Sequence, residues 1–210
     1  MTRSEELLEK ASEIPISPVR PNKTFFAEGP VEQELFRLLS RKNGFYAFES
    51  ALHVFPSNVR HGMDLEDWNA SGLWRYEYGK LADGILFFAE DIFGGQFCIK
   101  NSAVWLFDPE TGNCNKIAPD LEGWADCVLT DYNYLTGYPM AHLWQQKMGV
   151  IPNDHRLVPK IPFVAGGRYD LSNLRLMPSV DGMKWRGHIA RQIKNLPDGA
   201  KVTFEVVNGD

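Results

Sequence analysis

Apolar and polar residues change period along the chain, and the changes mark out elements. Ser4–Ser12 reads as a short helix, and Glu32–Arg41 carries leucines three and four residues apart (Leu35, Leu38 and Leu39). That spacing puts the three leucines on one face of a helix. Asn43-Gly44 predicts the end of the second helix. Between the two helices Pro15, Pro18 and Pro21 interrupt regular structure, so residues 1–24 are expected to form an arm or strap. Glu49–Phe55 reads as a further short helix stopped by Pro56, and residues 58–72 as polar loop with a helical turn at Leu65–Trp68.

The pattern then shortens to strands. Ile85–Ala89, Gln96–Lys100, Ala103–Phe107 and Asn113–Ile117 are apolar or alternating runs. Gly94-Gly95 and Asp108-Pro-Glu-Thr-Gly112 separate them with turn chemistry. Links this short permit only antiparallel neighbours, so a meander is expected. Helical spacing returns at Leu121–Val128 behind Asp120, at Pro139–Met148 ahead of Gly149, and at Met183–Asn195. Pro152–Leu176 reads as loop, and Val202, Phe204 and Val206 alternate as a half-buried terminal strand. The fold expected is α+β: a single domain in which an antiparallel meander is flanked by helices, with residues 25–210 as its body.

Composition narrows the function. The chain has 210 residues and 44% hydrophobic content, enough for one core, and no apolar run of membrane-spanning length. Its charged first residues lack the apolar centre of a signal peptide. Three cysteines (Cys98, Cys114, Cys127) form no Cys-x-x-Cys pair and fit free thiols in a reducing compartment. A cytoplasmic location is therefore expected. Net charge is −5 but uneven: residues 61–155 hold 14 acidic and 5 basic side chains, a local −9. An acidic middle disfavours nucleic acid and favours a basic protein partner.

Candidate chemistry is sparse. His61, Asp64, Glu66 and Asp67 offer oxygen and imidazole ligands, but their spacing matches neither a zinc helix nor a calcium loop. A metal-dependent hydrolase using this run is the weaker alternative to a solvated loop. Glu90-Asp91 resembles a paired-carboxylate site, yet neighbours in a strand point to opposite faces and would not share a substrate. Neither Gly94-Gly95 nor Gly166-Gly167 begins a phosphate loop, no nucleophile motif is present, and Lys184, Arg191 and Lys194 read as a solvated helix face. These readings predict no catalytic residues, no cofactor and no metal.

Three segments together resemble a known group: Leu86-Phe-Phe-Ala-Glu-Asp-Ile-Phe-Gly-Gly-Gln-Phe-Cys-Ile99, Val104-Trp-Leu-Phe-Asp-Pro-Glu-Thr-Gly112, and Ile117-Ala-Pro-Asp-Leu-Glu-Gly-Trp124. This is similar to the SUKH superfamily, which includes yeast cell-wall assembly regulators and many bacterial proteins. The resemblance runs over about residues 30–135, with Leu157–Val207 similar to longer bacterial members. It implies an α+β sheet with flanking helices. In bacteria it implies an immunity protein that neutralises a cognate toxin by direct contact, with no enzymatic activity; in the fungal branch it implies a regulatory or scaffold module. The expected partner is a protein toxin, basic in character, and neither nucleic acid nor membrane. Candidate partner-binding residues are Asp64, Glu66, Asp67, Trp68, Asp131, Tyr132 and Tyr134, which combine acidic and aromatic side chains in predicted loops.

Overall fold

The structure, a computed structural model, describes residues 1–13, 16–26, 29–197 and 199–200. In chain order the elements are α1 (Arg3–Glu9), α2 (Pro30–Arg41), β1 (Phe45–Ala47), β2 (Leu52–Val54) and α3 (Leu65–Trp68). A wide helical turn, Ser71–Arg75, leads into α4 (Tyr76–Tyr78). Then come β3 (Leu86–Glu90), β4 (Gln96–Lys100), β5 (Ala103–Phe107) and β6 (Cys114–Ala118). The rest is α5 (Leu121–Thr130), α6 (Tyr132–Thr136), α7 (Tyr138–Met148), β7 (His155–Pro159), β8 (Leu174–Pro178) and α8 (Ser179–Ile193). Strands β1 to β6 pair in chain order as one six-stranded antiparallel meander, and β7 and β8 form a separate hairpin. The α+β class and the meander are as expected.

Helical material covers both faces of the sheet. On one face Trp124 of α5 meets the rings of Phe88 and Phe97 edge-on, and the α2 carboxylate of Glu34 accepts from the Leu121 amide. On the other face Trp68, Trp74 and Tyr78 pack in series against Phe55, Phe87 and Phe107. Burying each such ring contributes about 1.5–3 kcal/mol, which makes this aromatic row a main prop of the fold. Helix α1 docks on α5, with Arg3 paired to Asp126 at 2.7 Å and Leu7 fully buried. The following Pro-rich segment straps back onto Asn43 and Gly44 by backbone hydrogen bonds from Ser17 and Ile16.

One irregularity sets the chemistry of the sheet's end. Phe87 pairs with Cys98 but Ala89 pairs with Phe97, so β3 carries one extra residue at Phe88. A bulge shifts the alternation. It returns Glu90 to the face of Phe87 and His53, where plain alternation would have sent it to the face of Phe88.

Two expectations fail here. Glu49–Phe55 is not a helix: Leu52–Val54 is strand β2, and Phe48, Glu49 and Ser50 form the turn before it with φ of 52°, 52° and 68°. Pro152–Leu176 is not simply loop, because His155–Pro159 and Leu174 onward make the hairpin, held by a second small core of Ile92, Trp144, Ile151, Leu157 and Leu174. The alternating segment Val202–Val206 lies outside the described residues.

Candidate functional site

Two turns at one end of the sheet build the site. In the first, between β3 and β4, Asp91 folds its side chain back on its own backbone: Oδ1 accepts from the amides of Phe93 (2.7 Å) and Gly95 (2.8 Å). Gly94 has φ +79°, and a methyl group there would collide with the Arg186 guanidinium, while one at Gly95 would collide with Asp91 Oδ2. The Gly-Gly pair thus serves both the turn and the close approach of two charged groups. The turn is also a junction: Ile92 donates to Thr136 of α6 and accepts from Leu157 of β7.

In the second turn, between β5 and β6, the Asp108 carboxylate accepts from the Glu110 amide and the Thr111 hydroxyl, both at 2.8 Å. Glu110 points across to the β7–β8 loop, where its Oε2 accepts from the Val164 amide at 2.8 Å. Its other oxygen, Oε1, is sealed from solvent and makes no hydrogen bond. The loop is stiffened by Phe163 stacked on Tyr169 at 3.7 Å, with the Phe93 ring edge-on to both.

These parts enclose a cleft of about 560 Å³. Asp91, Asp108, Glu110 and Arg186 lie on its floor and sides; Phe163, Val164 and Tyr169 form one lip and Tyr134 and Met140 the other. Burial pushes the Asp91 carboxyl up to about 7, against the pull of the two amides and Arg186. Burial raises Glu110 as well, and it raises Tyr169 together with Glu110, Asp91 and Asp108. Arg186 is buried, and its Nε, Nη1 and Nη2 each donate once, to Gly182 O, Phe93 O and Met183 Sδ. The cleft thus sets the carboxyl groups of Asp91, Asp108 and Glu110 against the single guanidinium of Arg186.

The acidic neighbour of Asp91 does something else. Glu90 is fully buried, with Oε1 3.1 Å from His53 Nδ1, 3.1 Å from Ser179 Oγ and 3.0 Å from Arg156 Nη2. Burial opposes its charge, but Arg156, His53 and Gln96 hold its carboxyl below the ordinary carboxylate value. Burial also depresses His53, so the imidazole is neutral and donates. Tyr46 stacks on His53 with ring centroids 4.4 Å apart and, desolvated, is pushed up to about 12. This network ties β2 and β3 to β7 and α8.

The residues expected at a partner surface fall into two separate elements. Asp64 caps α3 by accepting from the Asp67 amide, Glu66 accepts from Asn22 Nδ2 at 2.7 Å, and Asp67 is exposed. Trp68 is not a loop residue offered to solvent. It is 1% exposed, and its Nε1 donates to Gln96 Oε1 at 2.9 Å, because the aromatic row needs it as core. Asp131, Tyr132 and Tyr134 lie not in a loop but on and just before α6. Asp131 caps that helix, Tyr132 stacks on Phe48 at 4.7 Å, and Tyr134 projects with 81% exposure at the cleft. Of the seven, Tyr134 alone lines the cleft.

The sequence singles out Asp91 only as a carboxylate neighbour of Glu90, and gives no role to Glu110, Tyr169 or Arg186. Two signals were present: a turn Asp held against Gly-Gly, and Gly182 and Gly187 flanking Arg186 inside a helix, which mark close approach. Among the described residues no three His, Cys, Asp or Glu side chains, those of the His61–Asp67 run included, converge into a metal-ligating group.

Comparison with known proteins gives a fold and no function. No protein-family model and no curated protein matches the chain. Among solved structures it is similar to Atu4351 from Agrobacterium tumefaciens, with a TM-score of 0.60 at 10% sequence identity, covering 88% of each chain. Identity that low carries the architecture alone, and the chain has the same overall fold as this bacterial protein.

Proposed function

We propose that the chain is a binding protein that neutralises a cognate protein toxin by direct contact, docking through the cleft and its rim. One observation carries the reading. Three large apolar side chains, Tyr134 (81% exposed), Tyr169 (63%) and Val164 (48%), stand in solvent around a cleft floored by carboxylates. Large exposed side chains grouped around a concavity mark binding surfaces, and aromatic residues are the usual anchors. The acidic floor suits a basic partner, as does the −9 balance of residues 61–155. The likeness of the β3–α5 segments to the SUKH superfamily supplies the partner class, a toxin paired with its immunity protein. Helix α8 and the β7–β8 hairpin are fixed to the sheet by the Glu90 network, which holds the rim rigid and lowers the entropy cost of docking.

The test is a Tyr134→Ala/Tyr169→Ala double variant, both side chains being surface groups whose loss leaves the core intact. Binding of the purified variant to the toxin-like partner recovered on tagged wild-type protein should fall at least ~100-fold, as expected for losing two aromatic anchors. Unchanged affinity would remove the cleft rim from the interface.

A further inference from the structure

We propose that the cleft is a receptor for one arginine side chain presented by the partner, its guanidinium held between the carboxylates of Glu110 and Asp91 and covered by the Phe163–Tyr169 stack. This rests on the binding function proposed above and specifies the chemistry of that site.

The first ground is an unmet acceptor. Glu110 is 4% exposed, and Oε1 has no hydrogen-bond partner while Oε2 holds Val164. A buried carboxylate oxygen left unpaired is costly; Glu110 lines the cleft, so a small rotation of its carboxylate brings this oxygen to a donor arriving there and removes that cost. The second is the balance of donors. Arg186, the cation on the cleft wall, directs three of its N–H groups to Gly182, Phe93 and Met183 and none to Glu110 Oε1, so it neutralises part of the field without filling the acceptor. The Asp91 side chain spends Oδ1 on two amides, and its Oδ2 faces the Gly95 side of the cleft floor. The third is shape. The aromatic pair is parallel, 5° between planes, beside the acidic floor, and a flat guanidinium lies on such a ring while donating in its own plane to a carboxylate. A lysine ammonium meets the charge requirement but not the planar one, and an anion meets neither. The volume, about 560 Å³, suits a side chain of this length with its flanking backbone.

The experiment is an NMR titration of isotope-labelled protein with acetyl-Gly-Arg-Gly-amide, and with the same peptide carrying citrulline, the neutral near-isostere of arginine. The arginine peptide should shift the amides of Asp91, Val164 and Tyr169 in a saturable manner, and the citrulline peptide should bind at least ~10-fold more weakly. Glu110→Gln keeps an acceptor for the Val164 amide and removes the charge; it should fold and lose at least ~10-fold in affinity for the arginine peptide. Equal binding of the two peptides, shifts confined to other surfaces, or full affinity in Glu110→Gln would each overturn the proposal. The outcomes separate the two readings. If arginine peptide binds as described but no toxin is neutralised, the receptor stands and the toxin function falls. If a toxin binds through Tyr134 and Tyr169 with full affinity in Glu110→Gln, the function stands and the arginine receptor falls.

Discussion

Glu90 and Asp91 are consecutive in the chain, and their carboxylates meet opposite fates. Glu90 is enclosed against Arg156 at 3.0 Å and held below its ordinary value, whereas Asp91 turns to the cleft floor and is pushed up to about 7. The bulge at Phe88 and the turn that follows it separate them. One carboxylate joins the layers of the fold, and the other is kept at a cost in stability beside the surface proposed to bind.

Arg156 is expected to be the most sensitive charged position. Arg156→Met leaves the Glu90 charge buried and unpaired, which costs about 3–5 kcal/mol. The double variant Glu90→Gln/Arg156→Met removes that charge and should recover part of the loss. Urea denaturation at pH 7 measures both. A double variant no more stable than Arg156→Met would show that the ion pair is not the source of the loss.

Asp91 gives a pH-dependent signature. Its folded value lies above its ordinary 3.8, so the folded state holds this proton more tightly than the unfolded chain. The contribution is fully present below pH about 4 and is lost as pH rises through about 7. Asp91→Asn keeps the acceptor for Phe93 and Gly95 and cannot ionise. It should match wild type near pH 4 and be about 1–2 kcal/mol more stable at pH 8, with solvent in the cleft screening the rest of the effect. The same substitution should weaken partner binding, the trade of stability against function seen at binding sites. Thermal melts at the two pH values test this; a gain independent of pH would contradict it.

Trp68 belongs to the core, and a small change there should read as a folding defect. Trp68→Phe removes the donor to Gln96 and leaves its buried Oε1 unmet. The cost expected is about 1–3 kcal/mol, with the partner affinity of the folded fraction unchanged. A loss of affinity without a loss of stability would return Trp68 to the interface.

The β4–β5 turn offers a gain. Asn101 and Ser102 form its two-residue connection with φ of 49° and 52°. Such a turn favours Asn-Gly, so Ser102→Gly should stabilise the protein by about 0.5–1 kcal/mol in chemical denaturation, and a loss of stability would contradict the turn geometry.

The parts legible in the sequence were those whose signal is local. Gln96–Lys100 and Ala103–Phe107 are five-residue runs bounded by turn residues, and their limits match the structure. Strands β1 and β2 are three residues each, too short for alternation to show. The turn between them places Phe48, Glu49 and Ser50 at positive φ, which no propensity suggests. That turn is held from outside: Glu49 accepts from Tyr138 and from the His142 side of α7. In the hairpin β7 carries a buried Arg156 and ends in Pro159, features that read as loop until Glu90 is known to face the arginine. The cleft was hidden for the same reason. Asp91, Glu110, Tyr134, Tyr169 and Arg186 come from five different segments and meet only in the fold.

The most direct test of the proposed function is neutralisation in cells. The toxin-like partner recovered on tagged wild-type protein would be expressed in a sensitive host with wild-type protein or with Tyr134→Ala/Tyr169→Ala at matched levels. Wild type should restore growth, and the folded double variant should fail to do so. Full protection by the double variant would contradict docking through the cleft rim, and no protection by wild type would contradict toxin neutralisation itself.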